Sequence, residues 1–268
     1  MGIYKTGKIV RLSRILGKEK TIIVPMDDSL TVGPFRGLYD MHKLLEKICC
    51  SKADAILTYK GTFEQNINCI KGKAAILNLS SSTVHSLPTY KHIVNDVKRA
   101  LIMGFDGVAV HINITSNYEG EMLQGFGRVS EVCDYYEVPL MAIMYPRGEV
   151  GDAANNYCEL KKLSPEKYKE LIMHCVRIAV ELGADIIKTQ YTGSIDSFRD
   201  VINVAEGIPI LIAGAEFSDE KTVLENAHEA ILAGAQGVCF GRNIFNRENP
   251  GDIIKELYDI INKREGDE

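Results

Sequence analysis

Three side chains have types and neighbourhoods suited to carbonyl chemistry. Lys188 closes the apolar part of Gly183-Ala-Asp-Ile-Ile-Lys-Thr-Gln-Tyr-Thr192, which reads as a short buried strand entered from a helix that ends at Gly183. An isolated ammonium at the end of an apolar strand is costly to desolvate, so its pKa is expected to fall. A lysine that sheds its proton near neutrality attacks carbonyls and can form a Schiff base. The same lysine can instead be half of a structural ion pair with Asp185 or Asp27. Tyr145 ends the run Met141-Ala-Ile-Met-Tyr145, and Asp27 ends Ile23-Val-Pro-Met-Asp27. Period-two alternation puts Ile23, Pro25 and Asp27 on one face, Met141, Ile143 and Tyr145 on another, and aligns Ile186 with Lys188. If those faces look toward one centre, Lys188 attacks a ketone, Tyr145 moves a proton, and Asp27 stabilises the cationic iminium or its carbinolamine precursor. Structural alternatives stay open: Tyr145 as a rim aromatic, Asp27 as a strand-end acceptor for backbone N–H groups.

A second set of residues suits an anion. Ile212-Ala-Gly-Ala-Glu216 and Val238-Cys-Phe-Gly-Arg-Asn243 each follow an apolar run. Gly214 with Ala215, and Gly241, allow close backbone approach to a phosphate, and Arg242 offers a bidentate partner. Ser80-Ser-Ser-Thr83 adds hydroxyl donors, and Asp28 joins Asp27 as a further substrate contact. His111 faces either this site or the helices outside it. His42, His92, His174 and His228 sit in helical patterns as surface or packing residues, and no zinc spacing appears, so no metal is expected.

The elements that must position these residues follow a repeat. A helix ends in a small residue, an acidic or small residue follows, and then a short apolar run. The repeat occurs at Ser51–Leu57, Met103–Val110, Leu182–Ile187 and Ala233–Phe240. Glycine past a helix closes it in the left-handed conformation, and the apolar run fits a strand covered on both faces. Eight strands are predicted: Thr21–Met26, Ala53–Leu57, Ala74–Leu79, Gly107–Ile112, Pro139–Met144, Asp185–Lys188, Ile208–Ala213 and Gly237–Phe240. Helices are predicted near Tyr39–Cys50, Lys91–Met103, Tyr118–Tyr136, Pro165–Leu182, Ser194–Val204, Glu220–Ala233 and Asp252–Lys263. Gly61–Lys73 holds only a turn or short helix. This alternation fits one TIM (β/α)8 barrel spanning residues 1–268, with its chemistry at the carboxyl ends of the strands. A doubly wound sheet would carry a glycine-rich dinucleotide turn after its first strand, and Asp27-Asp-Ser-Leu-Thr-Val-Gly-Pro34 is not one. The long polar segment Pro146–Ser164 is placed to form a loop over the site.

Composition agrees. The 268 residues are 46% hydrophobic and 25% charged, with a net charge of −5. That balance supplies a large core and argues against a nucleic-acid surface. The seven cysteines are scattered without C-x-x-C pairs, as expected of buried free thiols in a reducing compartment. No run approaches a membrane span and the start lacks a signal-peptide core, so a cytoplasmic protein is expected.

Over nearly its whole length the chain resembles the archaeal-type, DhnA-like class I aldolases. These include fructose-bisphosphate aldolases and 2-amino-3,7-dideoxy-D-threo-hept-6-ulosonate synthases, and an autoinducer-processing thiolase is related to them. The resemblance rests on Arg11-Leu-Ser-Arg-Ile15, Val24-Pro-Met-Asp27, Gly33-Pro34, Met144-Tyr-Pro-Arg-Gly148, Ile187-Lys188 with Tyr191, and Gly241-Arg-Asn-Ile-Phe245. It implies a TIM barrel with Lys188 as the Schiff-base lysine, Tyr145 as the proton-transfer tyrosine, Asp27 as the aspartate after the first strand, and Gly241 and Arg242 in a phosphate site. It implies no organic cofactor and no metal, a phosphorylated ketose donor, an aldehyde acceptor, and a homo-oligomer, pentameric or decameric. Asp27-Asp28-Ser29 stands where the family has Asp-His-Gly, and Gly214-Ala215-Glu216-Phe217 where it has Gly-Gly-Pro-Lys. The second change removes a phosphate-binding charge, and Glu216 repels phosphate if it points inward. The Asp-x-Ser-x-Thr-x-Gly-Pro run and Leu79–His85 look closer to the amino-heptulosonate branch, which joins a three-carbon unit to aspartate semialdehyde. Fructose-bisphosphate cleavage, a non-catalytic ligand-binding relative and thiolase-like acyl transfer are the alternatives.

Overall fold

The computed structural model describes residues 6–17, 19–34, 36–87, 89–148, 157–214 and 216–263. Eight parallel strands close into a barrel: β1 Thr21–Pro25, β2 Ala55–Thr58, β3 Ala74–Asn78, β4 Gly107–Ile114, β5 Leu140–Pro146, β6 Ile186–Gln190, β7 Ile210–Ala213 and β8 Gly237–Cys239. The order around the barrel is β1-β8-β7-β6-β5-β4-β3-β2, so each strand pairs with its chain neighbours and β1 closes on β8. The expected single-domain TIM barrel is the observed fold.

Alternation along the strands divides the apolar residues into two cores. Ile23, Leu57, Ile76, Ala109, Met141, Ile143, Ile186, Leu211 and Cys239 fill the barrel interior. Ile22, Val24, Ile56, Leu77, Val108, Ala142, Met144 and Ile187 face outward into the helices. The segment before β1 is a helix, Thr6–Ile15, whose Ile15, Leu12 and Leu16 join the interior cluster and floor the barrel. Gly107 makes room for it, since a Cβ there would lie 2.9 Å from Ile15 Cδ1.

The acidic residue of the repeated junction has a structural cause. Asp54 accepts from the Ile22 N–H at 2.8 Å, Asp106 from Ala75 at 3.1 Å, and Asp185 from Leu140 at 2.9 Å. Each carboxylate ties the start of its own strand to a neighbouring strand and satisfies a backbone donor at the amino-terminal rim. The glycines before Asp106, Asp185 and Gln236 have positive φ, as the helix-closing pattern requires.

Most helices lie where expected, at Met41–Cys49, Glu119–Tyr136, Pro165–Glu181, Ile195–Asn203, Glu220–Ala233 and Pro250–Ile261. Between β2 and β3 two short helices occur, Lys60–Gln65 and Ile67–Ile70. One helix is corrected. The Lys91–Met103 pattern becomes a helix only from Val97, because the Asp96 side chain caps it by accepting from the Arg99 N–H at 2.8 Å. His92–Ile93 instead pairs antiparallel with Ser80–Ser81. β6 also runs two residues past Lys188, through Thr189, which donates to Met144 O, and Gln190, whose Oε1 accepts from the Tyr168 hydroxyl. The thiols are not uniformly buried, since Cys50 is exposed while Cys133, Cys175 and Cys239 are enclosed. Of Pro146–Ser164, residues 149–156 lie outside the described residues, and Tyr157–Leu163 is helical. Among the described residues no helix is long and apolar enough to cross a membrane.

Candidate active site

The carboxyl ends of the strands surround one pocket. Asp27, Asp28, Tyr145, Lys188, Gly214, Gly241 and Arg242 all line it. The inward faces are the ones expected from alternation, with Lys188 beside Ile143 in register and Tyr145 one step further toward the mouth on β5. Ala215 lies outside the described residues.

Lys188 is 7% exposed. The ion pair with Asp185 does not form, because Asp185 lies at the opposite rim, where Lys8 approaches it at 2.9 Å. The expected fall in the lysine pKa is also not what the site produces. Burial is the largest single influence and acts in that direction. The combined pull of Cys239 and Tyr145 in their anionic forms, and of Asp27 and Asp28, outweighs it and raises the pKa above the ordinary lysine value. Asp27 and Asp28 are the carboxylates that face the ammonium. The lysine therefore rests as a cation in the free site.

Asp27 is the complement. Burial raises its carboxyl pKa, against the opposing effects of Lys188 and of the Asn78 amide, which donates to Asp27 Oδ2 at 2.7 Å. A half-buried acid with a raised pKa beside a buried ammonium is a short proton-transfer step from a neutral amine.

His111 faces the site, not the helices. Its ring lies edge-on to Tyr145, centroids 4.9 Å apart. Asn113 donates its amide N–H to the Thr89 carbonyl at 2.8 Å, so its oxygen is the end that meets His111 Nε2 at 2.9 Å. That assigns the proton to Nε2 and leaves Nδ1 an acceptor. Burial, with Lys91, Lys188 and Arg147 adding to it, holds the imidazole pKa well below its ordinary value, so the ring is neutral.

On the β7–β8 side, Gly214 and Gly241 have little space for a side chain: a Cβ on Gly214 would meet Phe240 at 3.0 Å, and one on Gly241 the Pro25 carbonyl at 3.1 Å. Asn243 sequesters the loop carbonyls, donating to Gly214 O at 2.5 Å and Glu216 O at 3.1 Å and accepting from the Ser218 N–H at 2.9 Å. Asp28 Oδ2 lies 3.6 Å from Arg242 Nε. Glu216 is exposed and does not line the pocket, so it does not oppose a phosphate there. The Ser80 hydroxyl is already used, donating to Asn78 Oδ1 and accepting from the His111 N–H.

Sequence reasoning assigned no role to Lys91, Arg147, Asn78 or Gln190, which also line the pocket. Lys91 was hidden in an apparent helix. Arg147 belongs to the recognised Met-Tyr-Pro-Arg-Gly string, and the glycine after it explains its placement. A Cβ on Gly148 would lie 2.0 Å from the Thr115 carbonyl oxygen, so only glycine lets this loop press on the end of β4. Among the described residues, one grouping of potential metal-binding side chains occurs, His42, Glu46 and Cys69, on the outer helices and away from this pocket.

Residues 21–247 match the family model described as DeoC/LacD family aldolase. The chain is 36% identical over 260 residues to 2-amino-3,7-dideoxy-D-threo-hept-6-ulosonate synthase 1 of Archaeoglobus fulgidus, covering 96% of this chain and 92% of the relative. It is 34% identical over 246 residues to 2-amino-4,5-dihydroxy-6-oxo-7-(phosphonooxy)heptanoate synthase of Streptomyces griseus, covering 91% and 85%. The solved structure of an archaeal fructose 1,6-bisphosphate aldolase superposes with a TM-score of 0.83 at 25% identity, covering 95% of this chain and 98% of that one.

Proposed function

The chain belongs to the DeoC/LacD family of aldolases, enzymes that make or break carbon–carbon bonds, and on that premise we propose that Lys188 is its Schiff-base nucleophile, with Tyr145 and Asp27 as proton-transfer and charge-stabilising partners. The observation that carries this reading is the enclosure of Lys188 in the barrel mouth, facing both Tyr145 and Asp27. The Lys188 ammonium passes a proton to a neighbouring base, and the free amine adds to the donor ketone. The carbinolamine loses water to give an iminium, which acts as the electron sink for the adjacent carbon. Loss of a proton from that carbon gives an enamine. The enamine attacks an aldehyde, and water then releases the product and restores the amine. Tyr145, at the mouth side of Lys188, is placed to move the protons of these steps.

Dihydroxyacetone phosphate, or a sugar phosphate that supplies this fragment, fits as donor, its phosphate taken by Gly214, Gly241 and Arg242. Aspartate semialdehyde is the favoured acceptor, since both synthases at 34–36% identity are named for amino-heptulosonate-type products. Fructose-bisphosphate cleavage is the second reading, favoured by the close superposition on the archaeal aldolase. A homo-oligomer, pentameric or decameric, accompanies either reading and is tested by sedimentation.

Borohydride trapping with phosphorylated and unphosphorylated ketoses, followed by peptide mapping, tests the core of the proposal. An adduct on Lys188, absent from Lys188→Ala, is expected, and its mass identifies the donor fragment. Folded protein that forms no adduct with any ketose would overturn it.

A further inference from the structure

Lys91 is a buried cation for which the fold provides no counterion. Its side chain is 7% exposed. Its Nζ donates to the Ser82 hydroxyl at 2.6 Å. No ion pair among the described residues includes it. The charge closest in effect is of the same sign: Arg147, on the loop after β5, lines the same pocket and disfavours its ammonium form. The aspartates that favour that form, Asp27 and Asp28, are engaged elsewhere, with Asn78 and Arg242. An uncompensated buried ammonium costs stability, and two cations around one pocket cost more. Such an arrangement is tolerable when an anionic ligand completes it.

Its placement is built. Residue 91 sits opposite Ser82, one step beyond the Ser81–His92 pair of the small ribbon, and its backbone N–H is directed at Met122 Sδ, 3.4 Å away. Tyr90 stacks on Tyr118 with centroids 4.7 Å apart and holds the segment from the other side. The ribbon follows β3, which in the barrel order lies diametrically across from β7. A substrate joined to Lys188 on β6, with its phosphate on the β7–β8 loops, must extend its other end away from those loops, toward β3 and β4.

We propose that Lys91, with Arg147 beside it, forms the subsite for the anionic terminus of the acceptor aldehyde, carboxylate or phosphate, on the side of the barrel mouth opposite the donor phosphate. The assignment rests on the aldolase reading above and adds what that reading lacks, the group that selects the acceptor. The Ser82 hydroxyl orients the ammonium, and Arg147 supplies further donors at the half-buried rim.

The test compares Lys91→Met and Lys91→Arg with the unsubstituted protein. Dihydroxyacetone phosphate is the donor, and aspartate semialdehyde, glyceraldehyde 3-phosphate and neutral glyceraldehyde are the acceptors. The preference for an anionic over the neutral acceptor, taken as the ratio of kcat/KM values, should fall at least about ten-fold in Lys91→Met, mainly through KM, and recover in part in Lys91→Arg. Whichever anionic acceptor loses more identifies the terminus. Donor trapping on Lys188 should persist. An unchanged ratio, or loss of trapping in a folded Lys91→Met protein, overturns the proposal and makes Lys91 a structural or donor-site residue. If the unsubstituted protein traps no donor, the aldolase reading fails separately. Calorimetric binding of glyceraldehyde 3-phosphate against glyceraldehyde then decides the subsite, which falls unless Lys91→Met removes the difference.

Discussion

The two rims of this barrel handle buried charge in opposite ways. At the amino-terminal rim, Asp54, Asp106 and Asp185 each hold a backbone N–H of a neighbouring strand, and Asp106 and Asp185 also meet Arg14 and Lys8. Their charges are absorbed into the fold. At the carboxyl-terminal rim, Lys188, Asp27, Lys91 and the neutral His111 line one cavity and act on one another's charges across it. Equal burial therefore does not imply equal purpose. Charges satisfied within the fold serve stability, and charges left to act on one another across a cavity serve a ligand.

Substitutions sharpen that contrast. The largest effect is expected at the mouth: Tyr145→Phe should lower kcat by about 10²–10⁴-fold, the usual weight of a positioned proton-transfer group, while leaving thermal stability nearly unchanged. Steady-state kinetics beside a melting curve reads both, and a variant that melts early with normal kcat would place Tyr145 on the structural side. At the floor the pattern inverts. Asp106→Ala leaves the Ala75 N–H without its acceptor and should cost about 1–3 kcal/mol of stability by denaturant unfolding, with kcat/KM preserved.

Lys91 joins the two measurements in one residue. Burial first, and Arg147 after it, lower its pKa from 10.5 to about 8, with Asp27 and Asp28 opposing and the neutral His111 nearby. Between those two values the unfolded chain binds more protons at this site than the folded one. Its contribution therefore makes stability rise with pH from about 8 to 10.5, and the ammonium is most costly below that window. Lys91→Met should accordingly stabilise the ligand-free protein by about 1–3 kcal/mol at pH 7 while weakening anionic acceptors. In the unsubstituted protein, acceptor KM should climb as pH rises through about 8. A destabilised Lys91→Met would show that the lysine belongs with the satisfied charges of the floor. The smallest effect is expected at Glu216→Lys. The side chain is exposed and outside the pocket, so donor KM should change by less than about two-fold at physiological salt.

Much of this was legible in the chain itself. The repeated helix–glycine–acid–strand junction and the alternation of Ile23, Met141, Ile143 and Ile186 identified a closed parallel barrel and its inward faces. Both signals are local, being the period of a strand and the backbone freedom of glycine. The same alternation aimed Asp27, Tyr145 and Lys188 at one point. Other features depended on partners far along the chain. The predicted strand stopped at Lys188, yet Thr189 and Gln190 extend β6, with Thr189 donating to the Met144 carbonyl and Gln190 Oε1 accepting from the Tyr168 hydroxyl. Lys91 resembled a helical residue until Ser80–Ser81 drew its neighbours into a ribbon. The direction of the Lys188 shift followed from which groups crossed the barrel to face it, and burial alone gave the wrong sign.

What the sequence determined by itself was therefore the architecture and which side chains meet at the barrel mouth, because periodicity and residue type act over a few positions. What the tertiary structure decided was the electrostatic state of those residues and the recruitment of Lys91 and Arg147. Those depend on desolvation and on charges from other strands, which meet only when the barrel closes.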